Sequence, residues 1–251
     1  MILARITKAI REQNWFAVVL EFIIVIAGVV IGFQITAWNA DRHDRNVERR
    51  HLANIAEDLR DDVQELESYV TPTLGRIAAI HLVLESAGAT DLDQPVVFSD
   101  MTIDIPEFST VPEAQQGQLL GNINLTRTLF GNRNGFEALM ESGGVDLIRD
   151  EVLGQALQEY YTDLGSFSAI QDLVRELRME SMRRGHDAGL AMFGPASLDE
   201  LVLATREHPE FGAALRSNRD WAVIHMRQIG RQSAAARALL NEIEAEMERS
   251  E

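Results

Sequence analysis

The longest apolar run of the chain extends from Phe16 to Trp38 and contains only three polar residues. At about 1.5 Å of rise per residue, a helix of this length crosses the hydrocarbon core of a bilayer. Trp15 and Trp38 bracket the run, and tryptophan is enriched at lipid interfaces. We therefore predict a transmembrane helix over residues 15–38, preceded by a short N-terminal segment over residues 1–14.

Basic residues flank this helix on both sides in nearly equal number, so the positive-inside rule does not decide its orientation. They are Arg5, Lys8 and Arg11 before the helix, and Arg42, Arg45, Arg49 and Arg50 after it. Because long domains are translocated largely regardless of charge, we expect a cytoplasmic N-terminus with the larger domain outside. No small-residue cleavage site follows, which predicts an uncleaved signal anchor. We place the membrane interface at Trp15, Trp38, Arg42 and Arg45.

Gly28 and Gly32 form a GxxxG pair, which lets two membrane helices approach closely. Glu21 lies seven residues before Gly28 and therefore on nearly the same helix face. A charged carboxyl in lipid is costly, so we expect Glu21 to be protonated or paired within a helix bundle. Three interpretations stay open: a homo-oligomer held by this face, a chance glycine pair with Glu21 reaching the headgroups, or a proton pathway through Glu21.

Beyond the membrane helix, apolar residues recur at spacings of three and four, which predicts long amphipathic helices. Three segments show this pattern: residues 41–86, 150–185 and 210–249. Asp150 fits a helix N-cap, and Ser197 with Glu200 fits a capping box. The predicted fold class is all-α: the transmembrane helix continues, with a kink at Pro72, into an antiparallel bundle formed by residues 39–251.

An acidic, proline-containing stretch interrupts the helical pattern and predicts a loop region over residues 88–117. Within it, apolar and polar residues alternate from Met101 to Ile105, which predicts a short strand in a β-hairpin around Ser99 and Asp100. The spacing of the acidic residues does not match an EF-hand, so a solvated loop is favoured over a calcium site.

Composition narrows the function classes. Apolar residues make up 46% of the chain, which indicates a packed core. The net charge is −16, and such a surface repels nucleic acid. The absence of cysteine removes disulfides and thiol chemistry, and the histidines match no zinc motif. We therefore predict no cofactor, no metal site and no nucleic-acid partner.

The remaining candidates for chemistry have structural explanations. His81 and His225 lie on apolar stripes, where a hydrogen-bonded core histidine is the favoured interpretation. The loop from Gly131 to Gly135 lacks the lysine and spacing of a phosphate-binding loop. Four carboxylates lie off the apolar stripe and are predicted to form a hydrated face with ordinary pKa values: Glu57, Asp58, Asp61 and Asp62. No catalytic residue is predicted.

Two sets of residues carry a family resemblance. The first, in the anchor, is Asn14-Trp15, Glu21-Phe22, Gly28-Val29, Gly32, Gln34 and Trp38-Asn39. The second is Phe136-Glu137, Leu139, Ser142-Gly143, Leu147-Ile148 and Tyr160-Tyr161. Both resemble an uncharacterised bacterial family, domain of unknown function 6090. The resemblance implies a bacterial single-pass membrane protein with a helical domain and transfers no catalytic residue.

With the expected orientation, the acidic domain of such a protein lies in the periplasm, anchored in the inner membrane. The first functional hypothesis is a non-enzymatic interaction protein that self-associates through its anchor and presents its bundle to a protein partner. The alternative is a sensor or ligand-binding module with a pocket near Tyr160, Tyr161 and Trp221, because aromatic side chains in a bundle can line a ligand site. An enzyme is the third choice.

Overall fold

A computed structural model describes residues 15–125, 131–192 and 194–249 of the chain. The predicted segment 1–14 and the side chains of Trp15 and Glu21 lie outside the described residues. Packing divides the described residues into two compact units, with the boundary between Arg50 and His51.

The structure is about 80% helical, which confirms the predicted all-α class. Six α-helices form the described part of the chain: α1 Trp15–Ser86, α2 Leu119–Asn124, α3 Asn134–Glu141, α4 Glu151–Asp187, α5 Leu198–Glu207 and α6 Pro209–Arg249. Pro72 lies inside α1 without ending it. Two short 3-10 helices, Glu113–Gln118 and Gly144–Leu147, belong to the connections.

The only strands among the described residues are β1, Val96–Phe98, and β2, Met101–Ile103. They pair antiparallel, with Val97 opposite Thr102, and form the predicted hairpin within the acidic loop region. Ser99 in the turn has a φ of 56°, the left-handed conformation that tight hairpin turns require.

The second unit is a bundle of the C-terminal part of α1 with α4 and α6. Helix α6 is antiparallel to α1, since Arg60 near the start of that part pairs with Glu244 near the end of α6 at 2.6 Å. It is also antiparallel to α4, because Phe211 packs against Gly185 while Arg249 pairs with Asp150. The predicted antiparallel packing therefore holds for α6 with each of its neighbours.

Helices α1 and α4 run in the same direction. The Tyr160 hydroxyl of α4 donates a hydrogen bond to Asp62 of α1. Further towards the C-terminal ends of both helices, Arg76 of α1 and Arg178 of α4 are close enough for their charges to interact. Parallel helices need a long connection, and residues 87–150 provide it by carrying the chain back along the bundle before α4 begins. That connection holds the hairpin, α2 and α3.

The core has two main apolar clusters. One joins the stretch Leu52–Leu66 of α1 to the first half of α4 and the second half of α6, with Leu59, Leu157 and Ile243 fully buried. The other joins Ile80 and its neighbours to α2, α5 and the first turns of α6. Between them along the helices lie five polar residues, which we call the polar layer: Arg76, Arg178, Ser181, Asn218 and His225.

Local capping signals are confirmed. Asp150 accepts hydrogen bonds from the backbone N–H groups of Val152 and Leu153 at 3.0 and 3.1 Å. Ser197 and Glu200 form the capping box at the start of α5. These bonds satisfy N–H groups that have no partner inside a helix, and each helix therefore begins where the sequence indicates.

Replacing Leu157 by Ala should lower the free energy of unfolding by about 3 kcal/mol, because it leaves a cavity in the larger cluster. Val152→Ala, in the same helix but with a side chain that is 72% exposed, should change it by less than about 0.5 kcal/mol. Urea unfolding of the full chain in a neutral detergent, followed by circular dichroism, measures both. Equal effects would show that α4 does not pack through this face.

Candidate functional site

The first candidate site is the exposed apolar part of α1. Every described side chain from Val19 to Ala40 is exposed. Among the described residues, α1 is the one helix long and apolar enough to cross a membrane, with a mean hydropathy of 1.9 over a window that is 0% buried. Signal sequences share this length and composition. A continuous apolar surface of this extent marks an interaction with lipid or with another apolar surface.

The glycine face of this segment is open. A Cβ atom built at Gly28 or at Gly32 meets no other atom within 4 Å. The Thr36 hydroxyl donates to the carbonyl of Gly32 at 3.0 Å, which satisfies a polar group within the helix itself. The backbone at both glycines is therefore free to contact a second surface, whereas the side chain of Glu21 lies outside the described residues.

The predicted interface residues after the segment make local contacts along the helix. The guanidinium of Arg42 lies over the Trp38 ring, 5.6 Å from its centroid, and Arg45 pairs with Asp41 at 2.9 Å. The Trp38 side chain is 59% exposed. An exposed indole with a cation on its face is an arrangement suited to a headgroup region, where the ring is half in apolar surroundings and the charge stays hydrated.

The second candidate site is a pair of carboxylates in the bundle. Asp58 and Asp62 of α1 are only 8% and 2% exposed, so the prediction of a fully hydrated acidic face is wrong for these two residues. Asp58 accepts a hydrogen bond from the backbone N–H of Gly135 at 2.6 Å, and Asp62 accepts one from the N–H of Asn132 at 2.7 Å. The Tyr160 hydroxyl donates to Asp62 at 3.2 Å.

Glycines let the loop between Gly131 and Gly135 reach these carboxylates. A Cβ at Gly135 would lie 2.9 Å from the backbone nitrogen of Ile55 and 3.0 Å from a carboxylate oxygen of Asp58. Gly131 has a φ of 65°, and a Cβ there would lie 2.8 Å from Leu164. The loop therefore packs its backbone directly on α1 and donates its N–H groups to protein carboxylates.

Burial sets the protonation of this pair. It raises the pKa of Asp62 to about 6, although the bonds from Asn132 and Tyr160 oppose the shift. Burial also raises the pKa of Asp58, against the bond from Gly135. The pKa values of Tyr160 and Tyr161 are raised as well, first by burial. At neutral pH Asp62 is therefore mainly a charged acceptor, and the Tyr160 hydroxyl is a neutral donor to it.

The aromatic residues of the sequence-predicted pocket belong to two different clusters. Tyr161 stacks on Phe136 with the ring centroids 4.1 Å apart, and Tyr160 contacts Tyr161 edge to face. Trp221 instead packs edge to face on Phe98 of the hairpin, at 5.1 Å. The structure does not bring the three side chains together, and core packing beside Asp62 accounts for both tyrosines.

The third candidate site is the polar layer. Among the described residues, seven of its buried atoms have no hydrogen-bond partner: Nε of Arg76, Nε of Arg178, Oγ of Ser181, both amide atoms of Asn218 and both ring nitrogens of His225. The sequence analysis singled out only His225 and predicted a hydrogen-bonded side chain. That prediction is wrong, because His225 stacks on Phe167 at 5.8 Å and its nitrogens are unpartnered.

Electrostatics make the polar layer cationic. Burial lowers the pKa of His225 to about 4, and the positive charge of Arg76 lowers it further in the same direction, so the imidazole is neutral at pH 7. Burial and then the charge of Arg178 lower the pKa of Arg76 to about 10, which leaves its guanidinium charged. The sequence contained one sign of this layer, because polar residues recur on the apolar stripes of the helices. Asn218 and His225, for example, are seven residues apart and lie on the same face of α6.

The acidic loop region forms an open surface. Asp93, Asp104 and Glu107 line a shallow cavity beside the hairpin, and all three side chains are exposed. Within the described ranges, no group of three or more His, Asp or Glu side chains is arranged to hold a metal ion. The geometry agrees with a solvated loop.

The buried carboxylate predicts a pH dependence. Asp62 has a folded-state pKa of about 6 and titrates near 3.8 when free, so the folded chain holds a proton that the unfolded chain releases between these values. The stability should therefore fall as the pH rises from about 4 to about 6. In urea unfolding from pH 4 to pH 7, Asp62→Asn should flatten this slope, and the exposed neighbour variant Asp61→Asn should keep it. A wild-type slope in Asp62→Asn would contradict the assignment.

Comparison with known protein families, with curated proteins and with solved structures gave no match to this chain. The resemblance of its anchor and central motif to domain of unknown function 6090 therefore stays a prediction from those residues.

Proposed function

We propose that this chain is a non-enzymatic, membrane-anchored interaction protein that self-associates through its apolar helix and offers its helical bundle to a protein partner. The observation that carries this proposal is the exposure of every described side chain from Val19 to Ala40. The motif resemblance supports a bacterial inner-membrane location, and the orientation argument supports a periplasmic bundle.

Energetics favour insertion of this segment into a bilayer. Twelve Val, Leu, Ile and Phe side chains between Val19 and Ile35 are exposed. At about 0.3–0.6 kcal/mol each, they favour the membrane by about 4–7 kcal/mol in total. On the same kind of insertion scale, the carboxyl of Glu21 opposes insertion by about 2.5–3.5 kcal/mol when charged. The favourable transfer free energy of the apolar side chains is therefore larger than the cost of inserting the Glu21 carboxyl.

Self-association is supported by the open glycine face. Lipid tails are as apolar as the side chains, so membrane helices associate through close backbone packing and interhelical hydrogen bonds. Gly28 and Gly32 leave the backbone uncovered on one stripe. Two copies packed along that stripe would also bring their Glu21 residues to the same side, where a protonated carboxyl can pair with its equivalent.

The buried carboxylates support a structural role over a catalytic one. Asp58 and Asp62 spend their lone pairs on backbone N–H groups of the loop 131–135 and on the Tyr160 hydroxyl. Such bonds fix the loop on α1, and this use of both carboxylates as acceptors for the protein's own donors is the reason for assigning them a structural role. A net charge of −16 favours a basic or neutral protein surface as the partner over nucleic acid.

The variant Gly28→Ile, Gly32→Ile should weaken self-association at least about fivefold, because the added side chains separate the helix backbones. Val30→Ile adds a methylene on the other side of the same helix and should leave the association unchanged. A membrane two-hybrid assay with the full chain measures all three proteins. If the double glycine variant associated as strongly as the parent, the glycine face would not be the contact.

Fusing alkaline phosphatase after Glu251 should give an active enzyme in bacteria, because this reporter folds only outside the cytoplasm. A fluorescent protein fused at the same position should stay dark, since it does not mature after export through the same route. Equal expression of both fusions, checked by immunoblot, is the control. Fluorescence with inactive phosphatase would place the bundle in the cytoplasm and overturn the proposed orientation.

A further inference from the structure

Two arginines of the polar layer form an uncompensated cationic pair. Arg76 of α1 is 4% exposed, and the charge of Arg178 on α4 acts on it. Neither residue forms an ion pair with a carboxylate among the described residues. Residues 126–130, which follow the loop segment that contacts Arg178, contain no Asp or Glu in the sequence.

An arrangement of this kind is unfavourable in the protein alone. A buried charge is stabilised only by an opposite charge or by a full set of hydrogen bonds, and two like charges repel. The Nε atoms of both arginines are buried without an acceptor. Ser181 and Asn218 of the polar layer carry a hydroxyl and an amide that are also without a partner among the described residues. The layer therefore offers several hydrogen-bond donors and positive charge to an acceptor from outside.

Arg178 connects this layer to a cavity of about 430 Å³. Its guanidinium donates to the carbonyl of Asn124 across a long 3.5 Å contact, which is the one hydrogen bond of this side chain among the described residues. The other side chains that line the cavity are mainly apolar: Leu120, Leu125, Met179, Met182 and Met192. A volume of this size, largely apolar with one charged group, is typical of sites for small organic ligands.

We propose that Arg178, backed by Arg76, binds the anionic group of a small organic acid whose apolar body occupies the cavity lined by Leu120, Met182 and Met192. A planar guanidinium matches a carboxylate with two parallel hydrogen bonds. The methionines suit an apolar body of variable shape, because their side chains are flexible and polarizable. This ligand site lies in the second unit and goes beyond the anchoring role proposed for α1.

Benzoate serves as the probe, benzamide as its uncharged isostere, and sulfate as an anion without an apolar body. Binding to the full chain in a neutral detergent is measured by calorimetry and by the shift in Tm. Benzoate should raise the Tm, and neither benzamide nor sulfate should match it. Arg178→Gln should weaken benzoate binding at least about tenfold. Arg183→Gln, an exposed arginine on the same helix paired with Glu180, should bind benzoate as the parent does.

Arg76→Met gives an independent readout. Removing the buried charge of Arg76, which forms no ion pair among the described residues, should raise the Tm of the ligand-free protein and weaken benzoate binding. Arg178→Lys retains the charge but loses the planar fork, and it keeps the test valid if Arg178→Gln does not fold. Equal binding of benzoate and benzamide, unchanged binding in both Arg178 variants, or no benzoate response would overturn the proposal. A sulfate response equal to that of benzoate would overturn the organic-acid class.

Discussion

The second unit depends on the burial of one stripe of α1 between α4 and α6. Leu52, Leu59, Leu66, Ile77 and Ile80 of this stripe are at most 1% exposed, and both main clusters include α1 residues. At about 25 cal/mol per Å² of apolar surface, this burial is the largest favourable contribution to folding. The other elements of the unit, including α2 and α3, pack against this stripe and cover it.

Helix α1 places buried polar side chains in two different environments. Asp58 and Asp62 are matched by N–H donors of a glycine-containing loop and by Tyr160, and this network positions α3 on α1. Arg76, about four turns further along, has no such match. A satisfied network gives a unique structure, whereas an unsatisfied cationic one gives a place for an anion to bind. This contrast separates the structural site from the candidate ligand site.

Several site residues could not have been assigned from helical periodicity. Glu57, Asp58, Asp61 and Asp62 form two adjacent acidic pairs within six residues, and periodicity places all of them off the apolar stripe. The structure buries two of them because a loop some 70 residues later packs there, and its backbone N–H groups at Asn132 and Gly135 approach the carboxylates to 2.7 and 2.6 Å. A side chain at Gly135 would collide with α1. Tyr160 and Tyr161 pack against each other on α4, whereas Trp221 of α6 packs against Phe98 of the hairpin. Their shared aromatic character therefore did not indicate a shared location.

The sequence by itself determined the helix extents, the caps at Asp150 and Ser197, the hairpin and the exposed apolar segment of α1. These features follow from interactions between residues a few positions apart, which a linear pattern records. Only the tertiary structure decided that α4 runs parallel to α1, that Asp58 and Asp62 are buried, and that Arg76 and Arg178 come close enough for their charges to interact. These features arise from contacts between segments that are distant in the chain. Which residues meet there depends on how the helices pack, and a local sequence pattern does not record it.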